Sequence, residues 1–222
     1  MENKIKNSWK KGFYKDIEKQ PEKIFRDVNK ELPEFIKLLK KIKAKNVLDL
    51  GCGTGKHLVV LAKCGFRVLG FDLIDKVIKI AEDWLKKEGL KADLSVGDIY
   101  KKLPYEDNFF DGVISTKALH HGTVDQIKKL VKELERIMKP GGILMVEVPR
   151  KKKGYERFKG EHKEIETGTL VPISGSEKDV PHHIFSSRKE LVDLFSNYKV
   201  LGIVLSGNAN RRNHYTLFGK LK

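Results

Sequence analysis

The stretch from Asn46 to Leu58, NVLDLGCGTGKHL, combines an acidic residue with three closely spaced glycines. Its first residues are typical of a short apolar strand, and Gly51, Gly53 and Gly55 lead into the start of a helix. Because glycine tolerates backbone conformations that other residues avoid, a loop with this spacing can pass very close to a ligand. Three ligand classes compete for it: a nucleotide phosphate, a dinucleotide, and a ligand without phosphate.

The two phosphate patterns fit this loop poorly. A P-loop needs two glycines flanking four residues, then lysine, then serine or threonine. Here Leu50 stands at the first glycine position, and His57 stands where a magnesium-binding hydroxyl is needed. A dinucleotide loop requires a third glycine at Lys56, where a lysine side chain prevents the close packing of helix on strand. The P-loop pattern therefore does not fit this loop, and the case for a dinucleotide loop is weakened.

The pattern that fits the loop is Asp49-x-Gly51-x-Gly53-x-Gly55. It places an acidic residue at the end of the strand, directly before the loop. A carboxylate at the end of the strand would repel a pyrophosphate. It suits a ligand that carries positive charge, such as an ammonium group, bound directly or through water. The loop therefore favours a nucleoside with a cationic amino-acid group over a phosphate ester.

Two further strand ends carry an acidic residue. Asp72 ends the second strand in VLGFDLI, and Asp98 ends the third in SVGDIY. Ligands of open α/β sheets bind at these carboxyl ends, and a carboxylate at Asp72 can accept hydrogen bonds from both ribose hydroxyls. Each acid, Asp49 included, could instead be an ordinary turn residue. Their occurrence at three successive strand ends favours a shared ligand.

The elements around these acids alternate between strand and helix from Asn46 to Pro149. This alternation predicts parallel βαβ units in a doubly wound α/β sheet. Past the long polar stretch between Pro149 and Phe185, one helix precedes two strand-like segments, KVLGIVLS and HYTLFGKLK. Because no helix separates these two segments, we expect them to pair as an antiparallel C-terminal hairpin.

Together with LPYEDNFFDGVISTKALHH and MKPGGILMVE, these segments resemble the motifs of the class I, Rossmann-like S-adenosylmethionine-dependent methyltransferases. The resemblance covers roughly residues 46–149, with the motifs in the family's order. It implies a mostly parallel seven-stranded sheet with helices on both faces. It also implies S-adenosylmethionine as cofactor, S-adenosylhomocysteine as product, and a set of cofactor-binding residues: Asp49, Gly51, Gly53, Gly55, Asp72, Leu73, Asp98, Ile99 and Thr116.

The same resemblance implies separate roles for these residues. The glycines shape the loop, Asp72 holds the ribose and Asp98 holds the adenine amino group. Ile99 packs on the adenine ring, and Thr116 lies beside the sulfonium. We therefore expect an S-adenosylmethionine-dependent methyltransferase.

Methyl transfer requires mainly alignment of donor and acceptor, and a general base only when the acceptor holds its proton tightly. Histidine is the side chain suited to that task near neutral pH. We predict His121 and His183 as the catalytic candidates. The alternative for His120 and His121 is hydrogen bonding to the backbone at a helix entry. No histidine spacing matches a known metal motif, so no metal site is expected.

We expect a single domain over residues 1–222. Its parts are an N-terminal helical cap (1–45), a cofactor-binding core (46–149), a substrate lid or variable loop (150–185), and a C-terminal helix and hairpin (186–222). Acceptor specificity should come from the regions outside the shared motifs. In the cap, these are Trp9, Phe13 and Tyr14.

The net charge of +15 leaves the acceptor open. The leading hypothesis is a small-molecule acceptor, with lysines coating a solvated surface. The second is RNA, particularly tRNA, because residues 150–153 form a basic run and Arg211 and Arg212 lie close to Tyr215. The third is a non-catalytic, cofactor-binding partner protein. The chain begins without a secretory signal and has no apolar run that could span a bilayer, so we expect a cytoplasmic protein that does not contact a membrane.

Overall fold

The computed structural model describes residues 2–13, 28–152, 158, 161–207 and 213–222. The helices are α1 (Glu2–Ser8, followed by a π-helical turn at Trp9–Phe13), α2 (Leu32–Lys41), α3 (Lys56–Lys63), α4 (Asp75–Lys87), α5 (Val124–Ile137) and α6 (Arg188–Leu194). The strands are β1 (Asn46–Leu50), β2 (Arg67–Asp72), β3 (Asp93–Val96), β4 (Phe110–Thr116), β5 (Met138–Pro149), β6 (His162–Glu166), β7 (Thr169–Pro172), β8 (His182–His183), β9 (Tyr198–Ser206) and β10 (His214–Leu221).

Seven strands form the main sheet in the order β3-β2-β1-β4-β5-β10-β9. The five strands from β3 to β5 run parallel, whereas β10 is antiparallel to both β5 and β9. The expected doubly wound α/β fold with an antiparallel C-terminal hairpin is confirmed. The order reverses between β1 and β4, which is the switch point where α/β sheets bind ligands.

Helices cover both faces of this sheet because side chains alternate along each strand. On β1, Val47 packs with α2, α3 and α4 through residues such as Phe35 and Leu61. Its neighbour Leu48 packs on the opposite face, in the cluster that contains Leu134 of α5. All five side chains are fully buried. The two cores therefore hold the strand ends of β1 to β4 in fixed relative positions.

The structure differs from the sequence analysis in the stretch between Pro149 and Phe185, which was expected to be irregular. Within its described part, β6, β7 and β8 form a small antiparallel sheet in that order. The turn between β6 and β7 contains Gly168 at φ +79°. These strands are short and mostly polar, so their alternation is too weak to be read from the sequence.

The junction after α5 also differs. In VDQIKKLVKELERIMKPGG, Pro140 and the two glycines after it predict the end of a helix. The helix ends at Ile137, and β5 already begins at Met138, with a register irregularity against β4 between Phe110 and Gly112. Among the described residues, no helix is long and apolar enough to cross a membrane.

Candidate cofactor and acceptor site

The glycine loop after β1 depends on backbone conformations that favour glycine. Gly51, Gly53 and Gly55 have φ values of +77°, +54° and +87°. A Cβ atom added to Gly51 would lie 2.3 Å from Cβ of Ala118, and one added to Gly55 would lie 2.8 Å from Cβ of Ala81. Any larger residue at Gly51 would push the loop and the turn after β4 apart.

Asp72, at the end of β2, holds this loop in place. Its Oδ2 accepts a hydrogen bond from the Gly53 N–H at 2.9 Å, and its Oδ1 accepts one from the Ile74 N–H at 3.0 Å. Each carboxylate oxygen has two lone pairs, so both oxygens can also accept from ribose hydroxyls. Leu73, between Asp72 and Ile74, is half-buried.

The loop is also an environment that disfavours negative charge. Burial, opposed by the backbone hydrogen bonds from Ile74 and Gly53, raises the pKa of Asp72 to about 6, and nearby Asp49 adds to the rise. Burial raises the pKa of the Cys52 thiol well above its usual range, with further contributions from Asp72 and Asp49. The site therefore favours a cationic ligand.

Asp49 is the most buried of the three acids, with no exposed surface. Among the described residues, neither of its carboxylate oxygens has a hydrogen-bond partner. The Asn29 N–H donates to His57 Nε2 at 3.3 Å, so the neutral ring carries its proton on Nδ1. That Nδ1 lies 3.6 Å from Asp49 Oδ2, beyond hydrogen-bond distance. A buried carboxylate in this condition fits an ammonium group of a ligand.

Asp98 and Ile99 follow β3 in a tight turn. Asp98 Oδ1 accepts a hydrogen bond from the Tyr100 N–H at 2.9 Å, and Ile99 packs partly buried against the core. The Tyr100 hydroxyl donates to the Leu119 carbonyl at 2.8 Å. This last contact joins the turn after β3 to the turn after β4.

Thr116 ends β4 and is half-buried. The preceding Ser115 is fully buried, and its hydroxyl donates to the Leu50 carbonyl at 2.9 Å, which fixes the start of the glycine loop. Ser115 and Ala118 also shape the site, although neither was predicted from the sequence. Their contacts cross between neighbouring strands, and only the motif of β4 as a whole signals them.

Three histidine rings meet beside the turn after β4. The ring centroids of His120 and His121 are 4.0 Å apart, and His182 from β8 lies 4.6 Å from His121. Lys117, which starts this turn, has φ +57°, an uncommon conformation for a residue other than glycine. Its carbonyl accepts a hydrogen bond from His121 Nε2 at 2.8 Å. Only the fold brings His182 to His121, because the two residues are far apart in the sequence.

His183, the second predicted catalytic residue, is buried, and its ring hydrogen-bonds to residues outside this histidine cluster. Its Nδ1 lies 2.9 Å from Thr169 Oγ1, and its Nε2 lies 2.8 Å from Glu190 Oε1. Burial opposes ionisation of Glu190, but hydrogen bonds from Ser186 and His183 lower the pKa of this carboxyl overall. Both ring nitrogens therefore join β8 to neighbouring elements, and a catalytic role for His183 stays a prediction.

The N-terminal segment reaches the same region. The Trp9 ring contacts the His121 ring edge-on, with 4.8 Å between centroids. Lys10 forms a 2.5 Å ion pair with Asp75 at the start of α4. Tyr14 and the Phe13 side chain lie outside the described part of the chain. The cap thus contacts both the histidines and the cofactor-binding half.

The predicted basic surfaces are described only in part. The Arg150 guanidinium lies 5.7 Å from the ring centroid of Tyr215, while Lys151 and Lys152 are exposed. Lys153 and the pair Arg211 and Arg212 lie outside the described residues.

Comparisons with known proteins agree with this geometry. A family model described as a methyltransferase domain matches residues 47–142. A tRNA (carboxymethyluridine(34)-5-O)-methyltransferase of Arabidopsis thaliana is 40% identical over 103 residues, which are 46% of this chain and 23% of the relative. Norajmaline N-methyltransferase of Rauvolfia serpentina is 36% identical over 107 residues, 47% of this chain and 36% of that protein. The chain thus spans about a quarter to a third of these relatives' length.

Comparison with a solved structure shows that the similarity in fold extends beyond residues 47–142. The 1,6-didemethyltoxoflavin-N1-methyltransferase of Burkholderia thailandensis, solved with 1,6-didemethyltoxoflavin and S-adenosylhomocysteine, superposes with a TM-score of 0.67. The match covers 87% of this chain and 79% of that one at 16% identity. Since identity this low shows the fold alone, the similarity in sequence to methyltransferases rests on residues 47–142. These residues match a methyltransferase-domain family, and the described chain has the fold of a solved S-adenosylhomocysteine-bound methyltransferase.

Proposed function

We propose that this protein transfers a methyl group from S-adenosylmethionine to a small-molecule acceptor. The observation that carries the cofactor part is Asp49, a fully buried carboxylate whose oxygens have no hydrogen-bond partner among the described residues. It lies near the carboxyl end of β1 at the switch point, next to a glycine loop in which the glycines have left-handed backbone conformations. A cationic amino-acid group fits this carboxylate, whereas a pyrophosphate does not.

Different residues of the chain then bind different parts of the cofactor. Asp49 receives the ammonium group, Asp72 the ribose hydroxyls and Asp98 the adenine amino group. Leu73 and Ile99 line the apolar sides, and Thr116 lies beside the sulfonium. This division follows the order of the strands, β1, β2, β3 and β4, whose ends lie side by side at one edge of the sheet.

S-adenosylmethionine supplies an electrophilic methyl group on a sulfonium with a good leaving group. The protein's task is to align the acceptor with that methyl and to exclude water. His121 can remove a proton from an acceptor that holds it. Its Nε2 carries a proton, donated to the Lys117 carbonyl, so in the neutral ring Nδ1 carries the lone pair. Both ring nitrogens of His183 lie within hydrogen-bond distance of Thr169 and Glu190.

Enclosure of the histidine region supports a small acceptor. Trp9 from the cap and His182 from the small sheet β6–β8 both contact the His121 ring, from different parts of the chain. His120 and His182 are fully buried. An acceptor that binds beside these rings would be enclosed by residues from separate parts of the chain, and such enclosure suits a small ligand.

A tRNA acceptor is the alternative, favoured by the net charge of +15 and by the 40% identity to the Arabidopsis tRNA methyltransferase. That match spans 103 residues, about the length of the family match, and the alkaloid N-methyltransferase is nearly as similar over 107. Because both relatives match about half of the chain, their similarity does not discriminate between acceptors. The cap and lid, on which acceptor choice depends, distinguish the two hypotheses.

The test uses S-adenosylmethionine with a labelled methyl group and an extract of the source cells, separated afterwards into RNA, protein and small molecules. We expect label in the small-molecule fraction, and none when Asp72→Asn replaces the natural chain. Label in RNA would establish the tRNA alternative instead. Binding of S-adenosylhomocysteine without any transfer would indicate a non-catalytic partner protein, and preference for NADH would overturn the cofactor assignment.

A further inference from the structure

Three histidines from two distant parts of the chain form one cluster. His120 and His121 lie in the turn after β4, and His182 lies on β8. Each side chain offers one ring nitrogen, and these three atoms lie within 4.8 Å of one another. The group includes two fully buried rings and one that is half-buried. This is the grouping of nitrogen donors found in three-histidine metal sites.

The backbone fixes the two parts of the cluster relative to each other. The His183 N–H donates to the His120 carbonyl at 2.8 Å, which joins β8 to the turn after β4. The Ile184 N–H donates to the Gly168 carbonyl at 2.8 Å, so this junction is part of the small sheet. The side chains therefore approach one another because hydrogen-bonded backbone segments carry them.

The hydrogen bond from His121 Nε2 to the Lys117 carbonyl has a second consequence. Metal-binding histidines usually donate their other ring N–H to a carbonyl or a carboxylate, which fixes both the tautomer and the ring orientation. With the proton on Nε2, Nδ1 is the nitrogen of His121 that can bind a metal ion. The left-handed φ of Lys117 is a strained conformation that this turn maintains beside the site.

A carboxylate adds negative charge to the cluster. Glu177 Oε2 lies 3.7 Å from His182 Nε2, and the Glu177 side chain is 22% exposed. A divalent cation bound by the histidines would be stabilised by this nearby carboxylate. Apolar rings surround the donors: Trp9 contacts His121, and Phe158 contacts His182, each with 4.8 Å between ring centroids.

We propose that His120, His121 and His182 bind one divalent transition-metal ion of the zinc class. Imidazole donors select Zn²⁺, Ni²⁺, Co²⁺ or Cu²⁺ over Mg²⁺ and Ca²⁺, which prefer oxygen donors. Tetrahedral Zn²⁺ with Zn–N bonds of about 2.0–2.1 Å requires nitrogens about 3.4 Å apart, so ring movements of about 1 Å complete the site. Three protein ligands leave the fourth position for an oxygen or sulfur donor of a small molecule.

This metal site does not rest on the proposed methyl transfer. The Ala118–Gly51 contact and the Tyr100–Leu119 hydrogen bond place the histidine turn directly against the cofactor half. A metal ion here would therefore lie on the acceptor side of that half. An acceptor with a hydroxyl, carboxylate or thiol group could occupy its fourth position, which extends the proposed function toward metal-binding acceptors.

The experiment uses the full chain, purified without a polyhistidine tag, stripped with a chelator and dialysed against Zn²⁺. Metal content is measured by mass spectrometry. We expect one Zn²⁺ per chain, and affinity lowered about 100-fold or more in His121→Ala and in His182→Gln. His162→Ala is the matched control, because His162 is an exposed histidine on β6 outside the cluster; its affinity should equal that of the natural chain.

Cobalt provides the second measurement. Co²⁺ bound by imidazoles gives visible absorption bands, which we expect for the natural chain and for His162→Ala but not for His121→Ala. Since His121 is only half-buried, its alanine variant should keep the folded far-ultraviolet circular dichroism spectrum even if His182→Gln unfolds.

The proposal is overturned if the natural chain binds Zn²⁺ no more tightly than His121→Ala, or if His162→Ala weakens binding equally. S-adenosylhomocysteine affinity is measured on the same samples. Unchanged cofactor affinity together with absent metal binding would reject the metal site alone, and the histidines would then be a wall of the acceptor pocket. Absent cofactor binding together with intact metal binding would reject the proposed function alone.

Discussion

The two halves of the site are built in different ways. In the cofactor half, Asp49, Asp72 and Asp98 lie at or just beyond the ends of adjacent parallel strands, each within a short segment of sequence. In the acceptor half, His121 meets His182 and Trp9, which belong to three separate parts of the chain. A sheet edge specifies the first half through local motifs, whereas the second half exists only when the cap and the small sheet are in place.

This difference predicts how each half responds to change. The cofactor half should be sensitive to single backbone and charge substitutions, yet insensitive to changes in the lid. Substitutions that remove hydrogen bonds in the acceptor half should lower the stability of the protein, with little effect on cofactor affinity. The following experiments examine that contrast, beginning with the largest expected effect.

Gly51→Ala should weaken S-adenosylhomocysteine binding by about 100-fold or more, measured by calorimetry. The new Cβ would lie 2.3 Å from Cβ of Ala118, and a left-handed φ adds about 1–2 kcal/mol of strain. Gly65→Ala is the matched control, because Gly65 has φ +87° with no heavy atom within 4 Å of an added Cβ. Equal losses in both variants would mean that strain alone, and not contact with the turn after β4, governs the loop.

Asp72→Asn should weaken S-adenosylhomocysteine binding by about 10- to 100-fold, because hydrogen bonds to a charged acceptor contribute about 1.5–3 kcal/mol each. The amide keeps the size of the side chain and can still accept from the Gly53 N–H. Asp93→Asn serves as control, since Asp93 is exposed and pairs with Arg67 at the opposite end of β2 and β3. Unchanged affinity in Asp72→Asn would remove Asp72 from the ribose site.

The pH dependence of binding should report the same carboxylate. Burial raises the pKa of Asp72 to about 6 in the cofactor-free protein, and ribose hydroxyls favour its charged form. Binding should therefore be strongest above pH 6 and weaken by up to about tenfold per unit below it. In Asp72→Asn this dependence should disappear; its persistence would assign the titration to another group.

The same shift affects stability with a definite sign. The pKa of Asp72 is higher in the folded state than its usual value of 3.8, so folding is favoured at low pH and loses this contribution as pH rises through about 6. A shift of about two units corresponds to about 3 kcal/mol. Without cofactor, Asp72→Asn should therefore be more stable than the natural chain at pH 7.5 in urea unfolding, and the difference should vanish near pH 4.

His183→Ala should lower stability by about 1–3 kcal/mol, because Thr169 and Glu190 each lose a buried hydrogen-bond partner. Since this junction belongs to the lid, S-adenosylhomocysteine affinity should stay within about twofold of the natural value. His162→Ala, at an exposed position on β6, should change stability by less than about 0.5 kcal/mol. A large loss of cofactor affinity in His183→Ala would show that the two halves are coupled.

Much of the cofactor half was predictable because its information is local. The glycine spacing, the acids at the strand ends and the alternation of strands and helices all lie within short windows, and the fold confirmed the predicted architecture. Ser115 and Ala118 were missed because they act on the loop from a neighbouring strand and the turn after it. The periodicity of a strand shows which residues are buried, but not which carbonyl a buried hydroxyl contacts.

The sequence by itself determined the fold class, the order of the motifs and the edge of the sheet at which ligand binding is predicted. Local sequence is sufficient to define this edge, because it specifies the individual strands. Parallel strands then bring their carboxyl ends to the same edge of the sheet. Only the tertiary structure decided that His182 joins His120 and His121 while His183 bonds to Thr169 and Glu190. Successive side chains on a strand point to opposite faces, so the path of β8 assigns these adjacent histidines to different environments.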